Sequence, residues 1–277
     1  WIAEKAPYYL CDFILSDGRF SLKPALPVTD GGDISVGAIE IKQLFTSGNI
    51  LEDSFKLEYI ESEERRIFKA LVRYREEKEN QLPIEKTVSI RRSEGTDILP
   101  EETFDLTDCC TTKEHAIKVG KYFLALRHYV KHTCSFKTTP HGLDLAPGDY
   151  IRVTTETSPY NAAKNGTISA SGDITSASTI NDGTYNFYYY STSTDASDVE
   201  LAEGVEISNG TIPGWSYGAS IFSLKETIES QNVYRVEQIT LDQENIVEIV
   251  ASEFPCDSNL VSLIAQDMKD ASAFVVF

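Results

Sequence analysis

TTKEHAIKVGKYFLALRHYVKHTCSFKTTPHGLDLAPGDYIRV, residues Thr111–Val153, holds a helix and the start of a sheet in one continuous stretch. Thr111 reads as an N-cap, and Glu114 three residues later completes a capping box, each side chain satisfying a free amide of the first turn. Ala116, Val119, Phe123, Leu126 and Val130 recur at spacings of three and four. That spacing makes one apolar stripe and predicts that Phe123 and Leu126 are buried between the helix and a sheet. Lys121, Arg127, Lys131 and His132 put positive charge in the later turns, where the helix dipole favours it. The period then changes. Cys134–Thr138 reads as a strand, Pro140-His141-Gly142 as a turn, and Pro147-Gly148-Asp149 as a tight turn launching a second strand at Tyr150–Val153.

Working outward from the helix towards the N-terminus, Phe55–Tyr59, Phe68–Arg75 and Glu85–Arg91 alternate apolar and polar residues. Three antiparallel strands followed by a helix predict an α+β unit with one sheet face covered by that helix. Further back, a strand over Tyr8–Ile14, the turn Ser16-Asp17-Gly18 and a return strand Arg19–Leu22 make a hairpin. On the C-terminal side, Thr154 to Gly214 is rich in Ser, Thr, Asn, Gly and Asp, with Lys164 its only Lys or Arg. Strand-like runs at Gly166–Ala170, Tyr185–Ser191 and Val205–Ser208, separated by Asn-Gly and Asp-Gly turns, predict an inserted β-rich excursion. An apolar pattern resumes at Ile221–Ile228. Val233–Ile239 and Ile246–Ala251 make a hairpin across Leu241–Asn245, and Asp257 caps a last helix over Ser258–Met268 with Leu260, Ile264 and Met268 on one side. The reading is a β-rich α+β chain: an antiparallel, barrel-like sheet with a packed amphipathic helix, a smaller N-terminal α+β part and a β-rich insertion.

The chain carries 43 Asp plus Glu against 25 Lys plus Arg, a formal charge of −18. Such a surface argues against binding nucleic acid or anionic membranes, both of which call for basic patches. No apolar run reaches the length of a membrane-crossing helix. The sequence opens at Trp1 and has Met268 as its one Met, which reads as a segment of a longer protein. Five cysteines, Cys11, Cys109, Cys110, Cys134 and Cys256, include no CxxC pair and read as reduced, mostly buried thiols.

The candidate sites are few. His128 and His132 stand at i, i+4, a spacing that chelates metal on a helix, yet no acid or thiol completes a motif, and the commoner reading is an ordinary amphipathic helix end. Asp17, Asp30 and Asp33 lie near Gly-rich turns but miss the spacing of a calcium loop and its terminal Glu. Asp12 with Asp17, or Glu101 with Glu102, are carboxylate pairs of the type glycosidases use, but in a chain this acidic such pairs arise by chance. No GxSxG and no phosphate loop is present. The run Phe187-Tyr188-Tyr189-Tyr190 is the most unusual local feature; it reads first as a packed strand, and otherwise as an interface or a sugar- or partner-binding strip. No catalytic, cofactor or metal residue is assigned, and the chain is not read as an enzyme.

Several stretches resemble the central hub or tail-tip proteins of long-tailed bacteriophages, the group of lambda-type J proteins and gene transfer agent hubs. These are Trp1–Pro24 with Asp17-Gly18-Arg19-Phe20-Ser21-Leu22; Leu44–Ile50 with Ser54-Phe55-Lys56-Leu57; Phe104-Asp105-Leu106 ahead of Ala116 and Leu126; Leu145–Val153, similar to a Leu-x-Pro-Gly-Asp-x-Ile-x-Val signature; and Tyr234-Arg235-Val236 with Ile239 and Val247–Glu253. They occur in the family's order. The polar stretch Thr155–Trp215 is longer than the family pattern.

The resemblance implies a virion component in which 1–54 is an N-terminal α+β segment of a hub domain and 55–154 with 218–254 a tail-tube-like sheet-and-helix domain. Residues 155–217 are then the insertion, and 255–277 lead to a following domain. It implies a homotrimer that closes the tail tube, partners among tube, distal tail, baseplate and fibre or tip proteins, and DNA that passes without specific binding. It implies location in the virion tail after assembly in the host cytoplasm, and no cofactor. The competing reading is a cell-surface or secreted β-rich adhesin or glycan-binding module, with the insertion as its binding face.

Overall fold

The computed structural model describes residues 1–277 except 17, 62, 78–81, 95–97, 156–163, 177–178, 191–198, 225–231 and 243–244. Strand makes up 46% and helix 15%, with a curled half-barrel sheet, which places the chain in the expected β-rich α+β class. It divides into two compact units, Trp1–Ala38 with Tyr59–Lys131 and Val261–Phe277, and Ile39–Glu58 with His132–Leu260.

In the first unit, helix α1 (Ile2–Lys5) and a 3-10 turn over Ala6–Tyr9 lead into the expected hairpin of β1 (Cys11–Ser16) and β2 (Arg19–Pro24), with Phe13 opposite Leu22 and Leu15 opposite Phe20; the first strand begins at Cys11 rather than Tyr8, because Tyr8 and Tyr9 belong to the 3-10 turn. Gly18 adopts φ 71°, which suits a hairpin tip; Asp17 beside it lies outside the described residues. A separate four-stranded sheet has the order β17 (Phe274–Val276), β6 (Ile84–Arg92), β5 (Lys69–Glu76), β7 (Glu101–Asp105), with β7 parallel to β5 and the other pairs antiparallel. Ala70, Val72 and Tyr74 alternate inward on β5, and Val88 and Ile90 on β6. Helix α2 (Lys113–Tyr129) lies on these two strands, burying Ala116, Val119, Leu124 and Ala125. Gly120 sets the distance of approach: a Cβ there would stand 2.5 Å from Ile90 Cδ1 and 3.0 Å from Val72 Cγ2.

Two expectations for α2 are corrected. Its N-cap is Thr112, not Thr111, in extended conformation and accepting from the His115 amide at 3.3 Å. His115 thus occupies the third helical position, and Glu114 is one residue too early for a capping box. The buried face is also rotated about Gly120, so Leu124 and Ala125 are buried while Phe123 and Leu126 are half-buried. Phe123 instead stacks on Phe104, 5.0 Å between centroids and 7° between planes, and meets Tyr8 edge-on. The last helix, α3 (Leu263–Lys269), starts later than read. Ser262 caps it through the Ala265 amide, because Asp257 is engaged in a turn with the Asn259 amide. Buried Arg92 joins α3 to the sheet, pairing with Asp267 and Glu94 and lying over the Tyr129 and Phe274 rings.

The second unit holds two sheets. The larger has six strands in the order β3 (Gln43–Thr46), β9 (Tyr150–Thr154), β15 (Val233–Leu241), β16 (Val247–Glu253), β8 (His132–Thr138), β4 (Lys56–Tyr59). Strand β3 runs parallel to β9, and β9, β15, β16 and β8 are antiparallel in turn. Phe45, Phe136, Ile151, Val153, Tyr234, Val236, Val247 and Ile249 make its core. The smaller sheet has five strands in the order β11 (Ile174–Thr175), β10 (Asn165–Ile168), β14 (Ser220–Leu224), β12 (Gly183–Tyr190), β13 (Val199–Ile207), over a core of its own from Ile168, Phe187, Tyr189, Ile207, Ile212 and Phe222.

The expected single sheet through Phe55–Arg91 and Phe136–Val153 is therefore two sheets. The edge of β5 that Phe55–Tyr59 was expected to fill is taken by β7, and Lys56–Tyr59 borders β8 instead. The excursion after Val153 also extends past residue 217, because β14 pairs with β10 and β12 rather than with the larger sheet. Of the apolar run Ile221–Ile228, residues 225–228 lie outside the described residues.

Leu124 is 3% exposed, so Leu124→Ala should cost roughly 2–5 kcal/mol, whereas Leu126→Ala, at the half-buried flank, should cost about 1–2 kcal/mol. Urea unfolding of the two variants checks the rotation of α2, and equal losses would contradict it.

Candidate functional site

The turn before β9 is specified by its residues. Pro147 and Gly148 occupy its two central positions, the Asp149 amide donates to the Ala146 carbonyl at 3.0 Å, and Gly148 has φ 90°, which side-chain-bearing residues rarely adopt. The Asp149 carboxylate accepts from the Ala146 amide at 2.9 Å and closes the loop on itself. Strand β15 engages the outside of this turn. The Gly148 amide donates to the Val236 carbonyl at 2.7 Å, and the Val236 amide to the Asp149 carbonyl at 2.9 Å. A bulge between Val236 and Gln238 shifts the pairing of β15 with β16 at this point.

The aromatic run is the centre of the smaller sheet and works on both faces. Phe187 and Tyr189 point into that sheet's own core. Tyr188 and Tyr190, one residue out of phase, face the larger sheet. The Arg152 guanidinium lies 3.9 Å from the Tyr188 centroid, and the Tyr190 hydroxyl accepts from the Leu44 amide at 2.7 Å and donates to the Leu44 carbonyl at 3.1 Å. Ser223 Oγ to Thr154 Oγ1 and Ser47 Oγ to Asn165 Oδ1 add to the seam. The run is thus a packed strand, as first read. Burial pushes the Tyr190 phenol up and holds it neutral. Burial pulls Arg152 down, opposed by Tyr188 and Cys256.

A buried polar group within the larger sheet escaped the sequence reading. His132 Nε2 lies 2.8 Å from the Tyr234 hydroxyl, His132 Nδ1 lies 3.0 Å from Glu253 Oε2, and the His132 and Glu253 side chains are 2% and 6% exposed. The signal was present: His132, Cys134, Phe136 and Thr138 share the inward face of β8, so an alternation begun at His132 would have placed it inside. Assigning His132 to the helix end hid it. The helix stops at Tyr129, so no helical i, i+4 pair with His128 forms.

The remaining candidates are not brought together as sites. Glu101 and Glu102 are successive residues of β7 and point to opposite faces, Glu101 pairing with Lys69 at 2.9 Å and Glu102 with Arg127 through both guanidinium nitrogens. Asp30 and Asp33 are exposed in the turn closed by the Thr29 amide and the Asp33 carbonyl. Asp12 is half-buried on β1. Among the described residues no group of three His, Cys, Asp or Glu converges as metal ligands would, and no helix is long and apolar enough to cross a membrane. All five cysteines are free thiols. In the first unit a cleft of about 560 Å³ lies between the foot of the β1–β2 hairpin and the start of α2, lined by Leu10, Leu26, Ile34, Glu114, His115 and Lys118 among others.

No protein-family model matches the chain, and no curated protein matches it. Among solved structures it is similar to the virion of a native gene transfer agent particle, with TM-score 0.47 and 11% identity over 94% of this chain and 39% of that one. It is also similar to the tail protein from Neisseria meningitidis MC58, with TM-score 0.39 and 10% identity over 94% and 56% of the two chains. A third is the 43 kDa tail protein of prophage MuSo2 from Shewanella oneidensis, with TM-score 0.33 and 9% identity over 80% and 52%. The chain therefore spans between 39% and 56% of the length of these solved chains.

Tyr190→Phe leaves the Leu44 carbonyl with its bond from Asn49 Nδ2 but takes the oxygen acceptor from the fully buried Leu44 amide, at a cost of about 1–3 kcal/mol in thermal unfolding. Native-state alkylation at pH 8 followed by mass spectrometry should label half-buried Cys11 and Cys109 well before Cys134 and Cys256. Burial pushes the Cys134 thiol far up and that of Cys256 to about 12, so neither forms thiolate at that pH.

Proposed function

We propose that the chain is a structural component of the tail of a long-tailed bacteriophage: the part of a central hub or tail-tip protein that closes the tail tube as a homotrimer. It forms part of the DNA channel and links the tube to distal tail, baseplate and fibre or tip proteins. The observation that supports this reading is the meeting, in one sheet, of stretches remote in sequence through which the chain resembles such hubs. The Leu145–Val153 signature supplies β9 and its turn, the Tyr234-Arg235-Val236 segment pairs with it along one edge, and Leu44-Phe45-Thr46 pairs with it along the other. A turn signature of common residue types gains weight when its partners in the sheet are the other two segments of the same pattern. No catalytic role is assigned to this part of the chain, and its location is the virion tail after assembly in the host cytoplasm.

A channel that releases DNA quickly has a wall that does not bind it. Duplex DNA carries about one negative charge per 1.7 Å of axis, and a formal charge of −18 on each copy supplies repulsion wherever acids line the lumen. The Debye length at physiological salt is about 8 Å, so only acids at the wall act on the duplex. Electron microscopy and light scattering of the intact gene product should give a ring with threefold symmetry and a central opening. The assembled ring should not retain duplex DNA even at low salt. A stable monomer at micromolar concentration, or a lumen ringed by Lys and Arg, would overturn the reading.

A further inference from the structure

The β1–β2 hairpin wears its apolar face outward. Residues opposite one another in the pairing project to the same side, so Cys11, Phe13 and Leu15 share a face with Pro24, Leu22 and Phe20. That face carries no charge, yet Leu15 is 58%, Phe20 70% and Leu22 54% exposed. The other face, with Ile14 buried and Asp12 and Lys23 half-buried, is the one that turns to the protein. Phe13 stacks on Phe20 with centroids 5.1 Å apart and planes 12° apart, which joins the two strands without covering the outer ring. The three exposed side chains leave on the order of 300 Å² of apolar surface in water. Among the described residues β1 and β2 pair with each other alone. A two-stranded ribbon with such a face is stabilised by whatever covers it.

The foot of the same face opens into the cleft of about 560 Å³, which Cys11 and Pro24 help to line. Leu10, Leu26, Val28 and Ile34 give the cleft an apolar wall. The polar groups at its helical end are engaged within the chain. Thr112 Oγ1 caps α2, and His115 Nε2 donates to the Tyr8 carbonyl at 2.7 Å. A small polar ligand finds few anchors there, whereas apolar side chains find a wall.

Charge narrows the occupant. The first unit carries 21 Asp plus Glu against 18 Lys plus Arg, and the second 22 against 7. Two copies of this acidic chain therefore repel least where their first units meet, and the hairpin and the cleft both belong to that unit. Locally the signs are complementary. Arg19 stands beside the exposed tip, and the cleft carries Asp33 and Glu114 against Lys118. Tip and cleft are different patches of one unit, so joining them between copies makes a heterologous contact, of the kind that closes rings.

We propose that the hairpin of one copy docks through Leu15, Phe20 and Leu22 in the cleft of the next copy, and that this contact closes the ring. The inference rests on the homotrimer of the proposed function and adds its contact surface. A tip enclosed by a cleft is covered on more than one side. It therefore comes nearer than a flat contact to the about 800 Å² that a stable interface buries on each partner.

The test replaces Phe20 in the intact gene product by the photocrosslinking residue p-benzoylphenylalanine. The assembled protein is irradiated, and the joined peptides are mapped by mass spectrometry. Covalent oligomers on a denaturing gel, joined from this residue to residues 26–34 or 112–118, are expected. Phe20→Asp should raise the concentration at which the ring dissociates tenfold or more, whereas Ser21→Asp, on the opposite face, should change it less than about twofold. Circular dichroism of both variants separates loss of assembly from loss of fold. A threefold ring whose crosslinks map elsewhere or to a different protein, or one equally stable in the two variants, would overturn the docking and leave the homotrimer standing. Crosslinks to the cleft in a particle of two copies would uphold the docking and overturn the threefold ring. A monomer without covalent oligomers would overturn both.

Discussion

The larger sheet depends on the backbone hydrogen bonds between the Pro147-Gly148-Asp149 turn and Val236. Without the reversal at Gly148, β9 would start in the wrong direction, and β3 at the edge of the sheet would lose the strand it pairs with among the described residues. A proline that presets one central residue and a glycine that accepts φ 90° at the next make the turn local and inexpensive in conformational entropy. The bulge in β15 does the complementary work from the other side. By shifting register after Val236, it frees that residue's amide and carbonyl to pair with the turn while Gln238 onward continues along β16. One sequence-local feature and one irregularity in a distant strand thus fix the register of a sheet whose strands come from three separate parts of the chain.

Buried polar groups then make that register unique. His132 on β8, Tyr234 on β15 and Glu253 on β16 occupy three adjacent strands, and their contacts are made in one alignment. A slip of one residue would turn these side chains to the opposite face and leave the others buried without partners, a penalty larger than the net gain of the contacts themselves. The same logic applies to Arg152 against Tyr188. A guanidinium buried between two sheets is costly unless it is paired with an aromatic face or an acceptor, so the contact penalises any docking of the smaller sheet that misplaces Tyr188.

Sequence was most informative where the period was strong and the partner local. The β1–β2 hairpin, β5, β6, the β15–β16 hairpin and α2 each follow from alternation or helical spacing with turn residues between them, and the strand nature of Phe187–Tyr190 followed from its composition. What was illegible is which strand meets which. Phe55–Tyr59 and Phe68–Arg75 have the same alternation, and nothing in either states that the second pairs with Glu101–Asp105, a short acidic run with Phe104 as its one large apolar residue. The rotation of α2 was hidden because Gly120 contributes nothing to an apolar stripe, yet its missing side chain is what brings that face of the helix onto Ile90 and Val72. Thr112 outcompetes Thr111 as the cap by one residue, a choice made by backbone conformation rather than by residue type. The polar centre at His132 was missed for a related reason: once a helix is extended three residues too far, the first residue of the next strand is assigned the wrong environment.

The smaller sheet shows how such a chain accommodates new surface. It leaves the larger sheet after β9 and returns at β15, and these are neighbouring antiparallel strands, with Val233 opposite Arg152 and the Val153 amide on the Asn232 carbonyl. Exit and return points are therefore within hydrogen-bonding distance, so the parent sheet needs only a short connection between them. Everything inserted there costs the loop-closure term, which grows only logarithmically with length. An insertion with its own core of Ile168, Phe187, Ile207 and Phe222 recovers that cost by burial. The polar composition of this segment follows from the arrangement. Alternate residues of its strands fill that core, a few such as Tyr188 and Tyr190 seat it on the parent sheet, and described residues such as Glu203, Glu206 and Asn209 are solvated. A surface held rigidly on one side, and constrained by little on the other, is where binding chemistry can be added without disturbing the register that the Pro-Gly-Asp turn secures.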